Sequence, residues 1–337
     1  MRHSKGILSS AIIASVLLVT GGAQPARAMD VRIAKEYGIS YLPLTLMEKQ
    51  NLLVTRGKEQ GVQITPHWLS FTGGASMNEA LISNNLDIAS GGVAPMLVIT
   101  DRTRDNLGVR GLACMNSMPL YLNTTNPAVH SLKDFTDKDR IALPAVKVSI
   151  QAIILDMAAA KEFGPKNFSK LDSLTVSMSH PDGYSALLNG TAGITAHFTS
   201  APFMYQELQN TKVHQVLDSF KVLGGPHTFN CLWSTKSFVN ANPKVVTAFQ
   251  MALNDAETFI QQHPAQAAKI YLSTQKKATL SQAEVQKMIQ DPENKWTIQP
   301  QRVLQFSSFM KQIGLIKNAP ASIGDLFFAE TPPITGN

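Results

Sequence analysis

Apolar residues recur along this chain in two alternating rhythms. Short extended runs, such as Val31-Arg32-Ile33-Ala34 and Ile141-Ala142-Leu143, are separated by segments with apolar residues three and four apart. The pattern predicts a strand at 31–34, a loop at 38–43, a short helix at 44–51 and a strand at 63–70. The stretch 70–95 then reads as turn, helix, strand, turn. Ser76 with Glu79 is a capping-box pattern for a helix carrying Met77, Ala80 and Leu81, stopped at Asn84-Asn85. Residues 86–89 read as a short buried strand, and Gly91-Gly92 as a turn before a helix at 94–102.

Residues 111–115 and 120–122 look extended, and 123–139 is polar and turn-rich. A second unit then restarts, with a strand at 141–143, a turn at 144–148 and Ser149 as the N-cap of a helix. Ile153, Ile154, Met157 and Ala158 form the apolar face of that helix, and Gly164-Pro165 stops it. Strands at 174–178, 193–197 and 213–217 alternate with helices at 181–188 and 201–208. After Gly224-Gly225-Pro226 an extended segment, 227–234, leads back. Helices follow at 245–263, 264–272, 281–290 and 300–313. Asn242-Pro243 supplies an N-cap and a first-turn proline, and Phe249, Leu253, Ala256 and Ile260 share one buried face. The implied class is α/β, in two lobes: 29–120 begins lobe 1, 121–224 forms lobe 2, and 225–337 returns to lobe 1 in mostly helical form. Two crossings make a hinge, and the cleft gathers strand carboxyl ends, where open α/β sheets bind ligands.

Composition narrows the function. Arg2, His3 and Lys5, an apolar run at 7–20 and Ala26-Arg27-Ala28 form a secretory leader over 1–28. It implies an exported, soluble protein. The net charge of +6 owes three positive charges to Arg2, Lys5 and Arg27. The remainder has 27 basic against 24 acidic residues, which is no nucleic-acid footprint. Cys114 and Cys231 are the only cysteines. They read as buried apolar side chains, with a disulfide open if their segments lie side by side. Nucleophile-elbow, zinc-site and P-loop patterns are missing, so neither an enzyme, a metal nor a cofactor is expected.

The motifs Tyr41-Leu42-Pro43, Phe71-Thr72-Gly73-Gly74-Ala75 and 86–95 (LDIASGGVAP) occur in an order that is itself informative. So do Ile141-Ala142-Leu143-Pro144 with Ser149, 193–203 (GITAHFTSAPF) and Asn240-Ala241-Asn242-Pro243. With these the chain resembles periplasmic substrate-binding proteins of ABC importers, in the NMT1/THI5-like or nitrate/sulfonate/taurine-binding-like group. The resemblance implies a two-lobe type II periplasmic-binding-protein fold with a hinge of two crossing strands. It also implies a monomer that closes on a small solute and delivers it to an ABC permease in the inner membrane. Members often have an aromatic residue where His197 stands.

The expected solute is a small anion, such as a sulfonate, taurine or nitrate, held at bare helix N-termini. Thr72, Gly73, Gly74, Gly92 and Val93 are the candidate contacts in lobe 1, and Tyr41 a candidate cleft wall. Lys147, Ser149 and His197 are candidates in lobe 2, and Asn116 and Asn230 in the crossings. The alternative is a neutral or heteroaromatic solute, such as a pyrimidine vitamin precursor, stacked on Tyr41, Phe71 or Trp233. A pyrimidine-synthesising enzyme, known in the same group, is the reading from another class; the leader argues against it.

Overall fold

Alternating apolar runs become strands wherever both faces are covered, and the main sheet of each lobe is built this way, beside a small β12-β5 pair. The computed structural model describes residues 1, 28–275, 279–329 and 336. Apart from Met1 and Ala28, the leader expected over 1–28 lies outside the described residues. The strands are β1 (Met29–Lys35), β2 (Ile64–Ser70), β3 (Ala89–Gly92), β4 (Arg110–Cys114), β5 (Asn116–Ser117) and β6 (Tyr121–Thr124). They continue with β7 (Ile141–Leu143), β8 (Thr175–Ser177), β9 (Ala196–Thr199), β10 (His214–Asp218), β11 (Asn230–Ser234) and β12 (Lys295–Trp296). The helices of the first half are α1 (Leu42–Lys49), α2 (Leu52–Glu59), α3 (Gly74–Ile82), α4 (Val93–Arg102), α5 (Ile150–Phe163) and α6 (His180–Asn189). Those of the second are α7 (Phe203–Leu208), α8 (Ser219–Leu223), α9 (Lys236–Ala241), α10 (Pro243–Gln262), α11 (Pro264–Ser273), α12 (Gln282–Ile289) and α13 (Val303–Gln312).

In lobe 1, β2 and β1 run parallel and join the three-stranded set β3-β11-β4 through Ile33 and Ile88. In lobe 2 the order is β10-β6-β9-β7-β8. Each sheet contains one antiparallel intruder. β11, arriving from lobe 2, lies between β3 and β4, and β6, arriving from lobe 1, lies between β9 and β10. The fold is the two-lobe type II periplasmic-binding arrangement with two crossing strands and a helical C-terminal part. On α10, Phe249, Leu253, Ala256 and Ile260 are all fully buried, as their spacing requires.

The structure moves several boundaries. Helix α1 begins at Leu42, because Pro43 fits the first turn of a helix. Helices α2, α8 and α9 lacked a periodic signal long enough to read. Ser76 does not cap α3. That helix starts at Gly74, and the Ser76 hydroxyl instead donates to the Gly73 carbonyl at 2.8 Å. Gly91-Gly92 is strand, not turn: β3 lies three residues later than read and pairs with β11. Strand β9 lies two to three residues later than the run that announced it, and helix α13 starts three residues later and ends one residue earlier.

The lobes are closed on one another. The Ile39 amide donates to the Ala201 carbonyl at 3.1 Å. A Cβ on Gly38 would lie 2.9 Å from that same carbonyl, and φ at Gly38 is +112°, so glycine is required twice over. A Cβ on Gly92 would sit 2.7 Å from Ile150 Cγ2 across the cleft. Cys114 and Cys231 face each other on β4 and β11 as free thiols, Sγ to Sγ 2.8 Å, both buried.

Gly92 has φ −56° and ψ 149°, which alanine adopts freely. Gly92→Ala is therefore expected to fold normally yet resist closure, by about 1–3 kcal/mol of overpacking. Small-angle scattering should show a larger radius of gyration, and adding Ile150→Ala should recover part of the difference. An unchanged radius contradicts the closed packing.

Candidate functional site

The cleft floor is built by the segment after β1. Glu36 follows the last strand residue, and the turn Gly38-Ile39-Ser40-Tyr41 carries the chain into α1. Tyr41 is buried; its hydroxyl faces the Asn230 amide oxygen at 3.5 Å and hydrogen-bonds the Glu36 side chain. Asn116 ties both crossings to this turn. Its Nδ2 donates to the Ser40 carbonyl at 2.7 Å, and its Oδ1 accepts from the Asn230 amide at 3.2 Å. Both Asn116 and Asn230 are fully buried on the hinge.

Three buried polar atoms here have no hydrogen-bond partner: Ser40 Oγ, Ser200 Oγ and Asn230 Nδ2. Ser40 comes from lobe 1 and Ser200 from lobe 2, and both hydroxyls lie within 4 Å of the same point beside Gly38. Unsatisfied buried polar groups cost about 1–3 kcal/mol each, so a cleft that gathers them suits an occupant that bonds to them.

Outward from this floor runs an inter-lobe cavity of about 790 Å³. Lobe 1 contributes Lys35, Glu36, Glu48 and Trp68; Tyr184 and Phe203 come from lobe 2, and Tyr271 from α11. Lys35 is paired with Glu48 and lies 5.8 Å over the Trp68 ring. Among the described residues, none forms an ion pair with Glu36. Burial therefore pushes its carboxyl up to about 8, with the Tyr41 hydrogen bond opposing.

The residues singled out from sequence are distributed differently. Tyr41, Asn116 and Asn230 meet at the cleft floor. Gly73 and Gly92, at the bare N-termini of α3 and α4, abut Pro144 and Ile150 of lobe 2 instead of open space. Gly74 packs on Pro95, Val93 is fully buried, and Thr72 is exposed. Ser149 is the N-cap of α5, accepting from the Ala152 amide at 3.2 Å. Lys147 is exposed at φ +65°, and its charge bears on Asp156. Trp233 is fully buried with its indole N–H on Asn78, so it offers no stacking face.

His197 does not face the cleft as expected; it is sealed inside lobe 2. Its Nδ1 donates to Glu207 Oε1 at 2.6 Å, and Asn123 Nδ2 donates to Oε2 of the same carboxylate at 2.9 Å. Gln151 Nε2 donates to His180 Nε2 at 3.3 Å, which leaves the His180 proton on Nδ1, facing Thr199 Oγ1 at 2.9 Å and His197 Nε2 at 3.3 Å. Burial, then the neighbouring His197, holds His180 well below the usual imidazole range, hence neutral. Glu36, Ser40, Ser200 and this network were not read from the sequence. The available signal was position alone: Glu36 and Ser200 each directly follow a strand that ends at the cleft.

No protein-family model matches the chain, and no curated protein matches it. Solved structures do. The alkanesulfonate-binding protein SsuA of Xanthomonas axonopodis pv. citri, bound to MOPS, is 19% identical with a TM-score of 0.66, over 94% of this chain and 100% of that one. The periplasmic aliphatic sulphonate-binding protein SsuA of Escherichia coli is 16% identical with a TM-score of 0.63, over 89% and 98%. The periplasmic nitrate-binding protein NrtA of Synechocystis PCC 6803 is 14% identical with a TM-score of 0.65, over 90% and 85%. These likenesses establish the periplasmic-binding-protein fold and do not single out the NMT1/THI5-like group. The proteins named are binding proteins, not enzymes.

Two outcomes follow from the buried charges. Because the Glu36 carboxyl is raised from 4.5 to about 8, the folded state holds more protons than the unfolded chain between those values, and stability falls as pH rises through that window. Glu36→Gln should therefore be more stable than the parent above pH 8, by on the order of 2 kcal/mol, with little difference near pH 4.5. Thermal unfolding across pH checks this, and parallel curves contradict it. Glu207→Ala leaves His197 and Asn123 without their acceptor and should cost about 3–5 kcal/mol in denaturant unfolding; a cost under about 1 kcal/mol contradicts the network.

Proposed function

We propose that this chain is the solute-binding component of an ABC importer, periplasmic and monomeric, closing its two lobes on one small molecule and presenting it to a permease. In this reading 29–120 with the segment from 225 onward is one lobe and 121–224 the other, and 1–28 is a cleaved leader. The observation that carries it is the pair of buried, unpartnered hydroxyls of Ser40 and Ser200, supplied by opposite lobes and both within 4 Å of one point beside Gly38. A solute that bonds both favours the closed state by its differential contacts. The names of the similar structures support the transport role and would make the solute a sulfonate or nitrate. Against an anion, the helix N-termini expected to hold it are covered by Pro144 and Ile150, and Lys147 is exposed. The second reading, a heteroaromatic solute, is favoured by the aromatic lining of the cavity: Trp68, Tyr184, Phe203 and Tyr271. Among the described residues no helix is long and apolar enough to cross a membrane.

A thermal-shift panel of small solutes identifies a binder, since a molecule that binds only the native state raises the melting temperature. For that solute, Ser40→Ala and Ser200→Ala should each weaken affinity by about five- to tenfold, one hydrogen bond apiece, without destabilising the free protein. Scattering should show the solute compacting the parent. Full affinity in both variants sinks the proposal.

A further inference from the structure

We infer that the cleft selects a solute whose recognised group is an N–H-bearing cation, a protonated amine or amidinium, seated on the Glu36 carboxylate with its body against Trp68, Tyr184 and Phe203. This rests on the solute-receptor reading above and specifies its ligand class. Glu36 lies at the carboxyl end of β1, on the wall of the inter-lobe cavity. Its carboxylate reaches over β3, where a Cβ on Gly91 would come within 3.1 Å of Oε1. Gly91 therefore leaves room for the acid to stand where it does.

Among the described residues, the acid has no ion-pair partner. Lys35, the preceding residue, is committed to Glu48 of α1. Lys49, also on α1, is exposed at the cavity rim. The turn into α1 offers Tyr41, whose hydroxyl is a neutral partner. Across the cavity, α6, α7 and α11 present Tyr184, Phe203, Gln206 and Tyr271, and none of these is a cation. An anionic solute entering here opposes ionisation of this acid, whereas a cation with N–H donors favours it, meets two acceptor oxygens and forms charge-assisted hydrogen bonds. The aromatic rings give the cation and its organic body the quadrupole faces and apolar contact it needs.

The same geometry implies a proton exchange. Burial raises the half-buried Glu36 carboxyl to about 8, which favours its protonated form near pH 7. An arriving cation displaces that proton to solvent, so affinity rises with pH until the free carboxyl is ionised.

The test uses the mature chain and the Glu36→Gln and Glu36→Asp variants, with calorimetry of benzamidinium and ethylammonium as cations and methanesulfonate and nitrate as anions. At least one cation should bind, at least about tenfold tighter near pH 8.5 than near pH 6, with proton release seen as a buffer-dependent enthalpy. Glu36→Gln should weaken it about tenfold or more and abolish the pH dependence, while Glu36→Asp keeps the pH dependence at reduced affinity. Binding of an anion with no loss in Glu36→Gln, or equal cation binding in parent and Glu36→Gln, overturns this inference and leaves the receptor reading intact. Failure of every probe to bind overturns the inference; failure of a wider solute panel to bind or compact the protein overturns the receptor reading as well. The melting curve of each variant, already expected to be parent-like or better at high pH for Glu36→Gln, separates lost binding from lost folding.

Discussion

Neither sheet is complete without a strand that the other lobe sends across. β11 must return from lobe 2 to fill the gap between β3 and β4, and β6 must leave lobe 1 to fill the gap between β9 and β10. Because each intruder is hydrogen-bonded on both sides, the passages are fixed at both ends and free to flex only between. There the second crossing meets the first at Ser117 and Thr228, and Asn116 binds both the other crossing and the Ser40 carbonyl. The axis of closure is set by backbone pairing, and the turn 38–41 rides on it.

That constraint decides which chemistry reaches the cleft. Strands of both lobes end at the hinge side, so the residues just after β1 and β9 face one another: Glu36 and the turn to Tyr41 on one jaw, Ser200-Ala201 on the other. Here the Ile39 amide meets the Ala201 carbonyl, and the Ser40 and Ser200 hydroxyls lie buried on either side of the junction. Apolar contacts, Gly92 on Ile150 and Gly73 on Pro144, seal the helix N-termini at the same time. The backbone dipoles that make such termini anion sites are thus spent against hydrocarbon, and Glu36 stands on the cavity wall with no ion-pair partner among the described residues.

The chain announced its architecture more clearly than its site. Periodicity located the two α/β units, the break at Gly224-Gly225 and the buried face of α10, because burial of an apolar stripe is a property of local spacing. Ser149 was recognised as a cap for the same reason: its partner, the Ala152 amide, is three residues away. The site depends on pairings far apart in sequence. His197 looked like a cleft residue from its place near a strand end, but the strand lies later than read, and the ring turns inward to Glu207 and His180. Gly91 and Gly92 looked like a turn because glycine is common in turns; their actual constraint is the approach of Glu36, Trp233 and Ile150, residues 55 or more positions away for all three. Glu36 itself carried no motif. Its significance comes from what is not beside it, and only the folded arrangement shows that Lys35, its neighbour in sequence, is paired elsewhere.

Native mass spectrometry of the protein purified without denaturant tests the central claim most directly, that two jaws shut over one guest molecule. The account requires a one-to-one complex with a small organic molecule, recovered on unfolding and lost when the paired Ser40 and Ser200 hydroxyls are both removed. A bare protein mass that stays bare after incubation with an extract of small metabolites contradicts it.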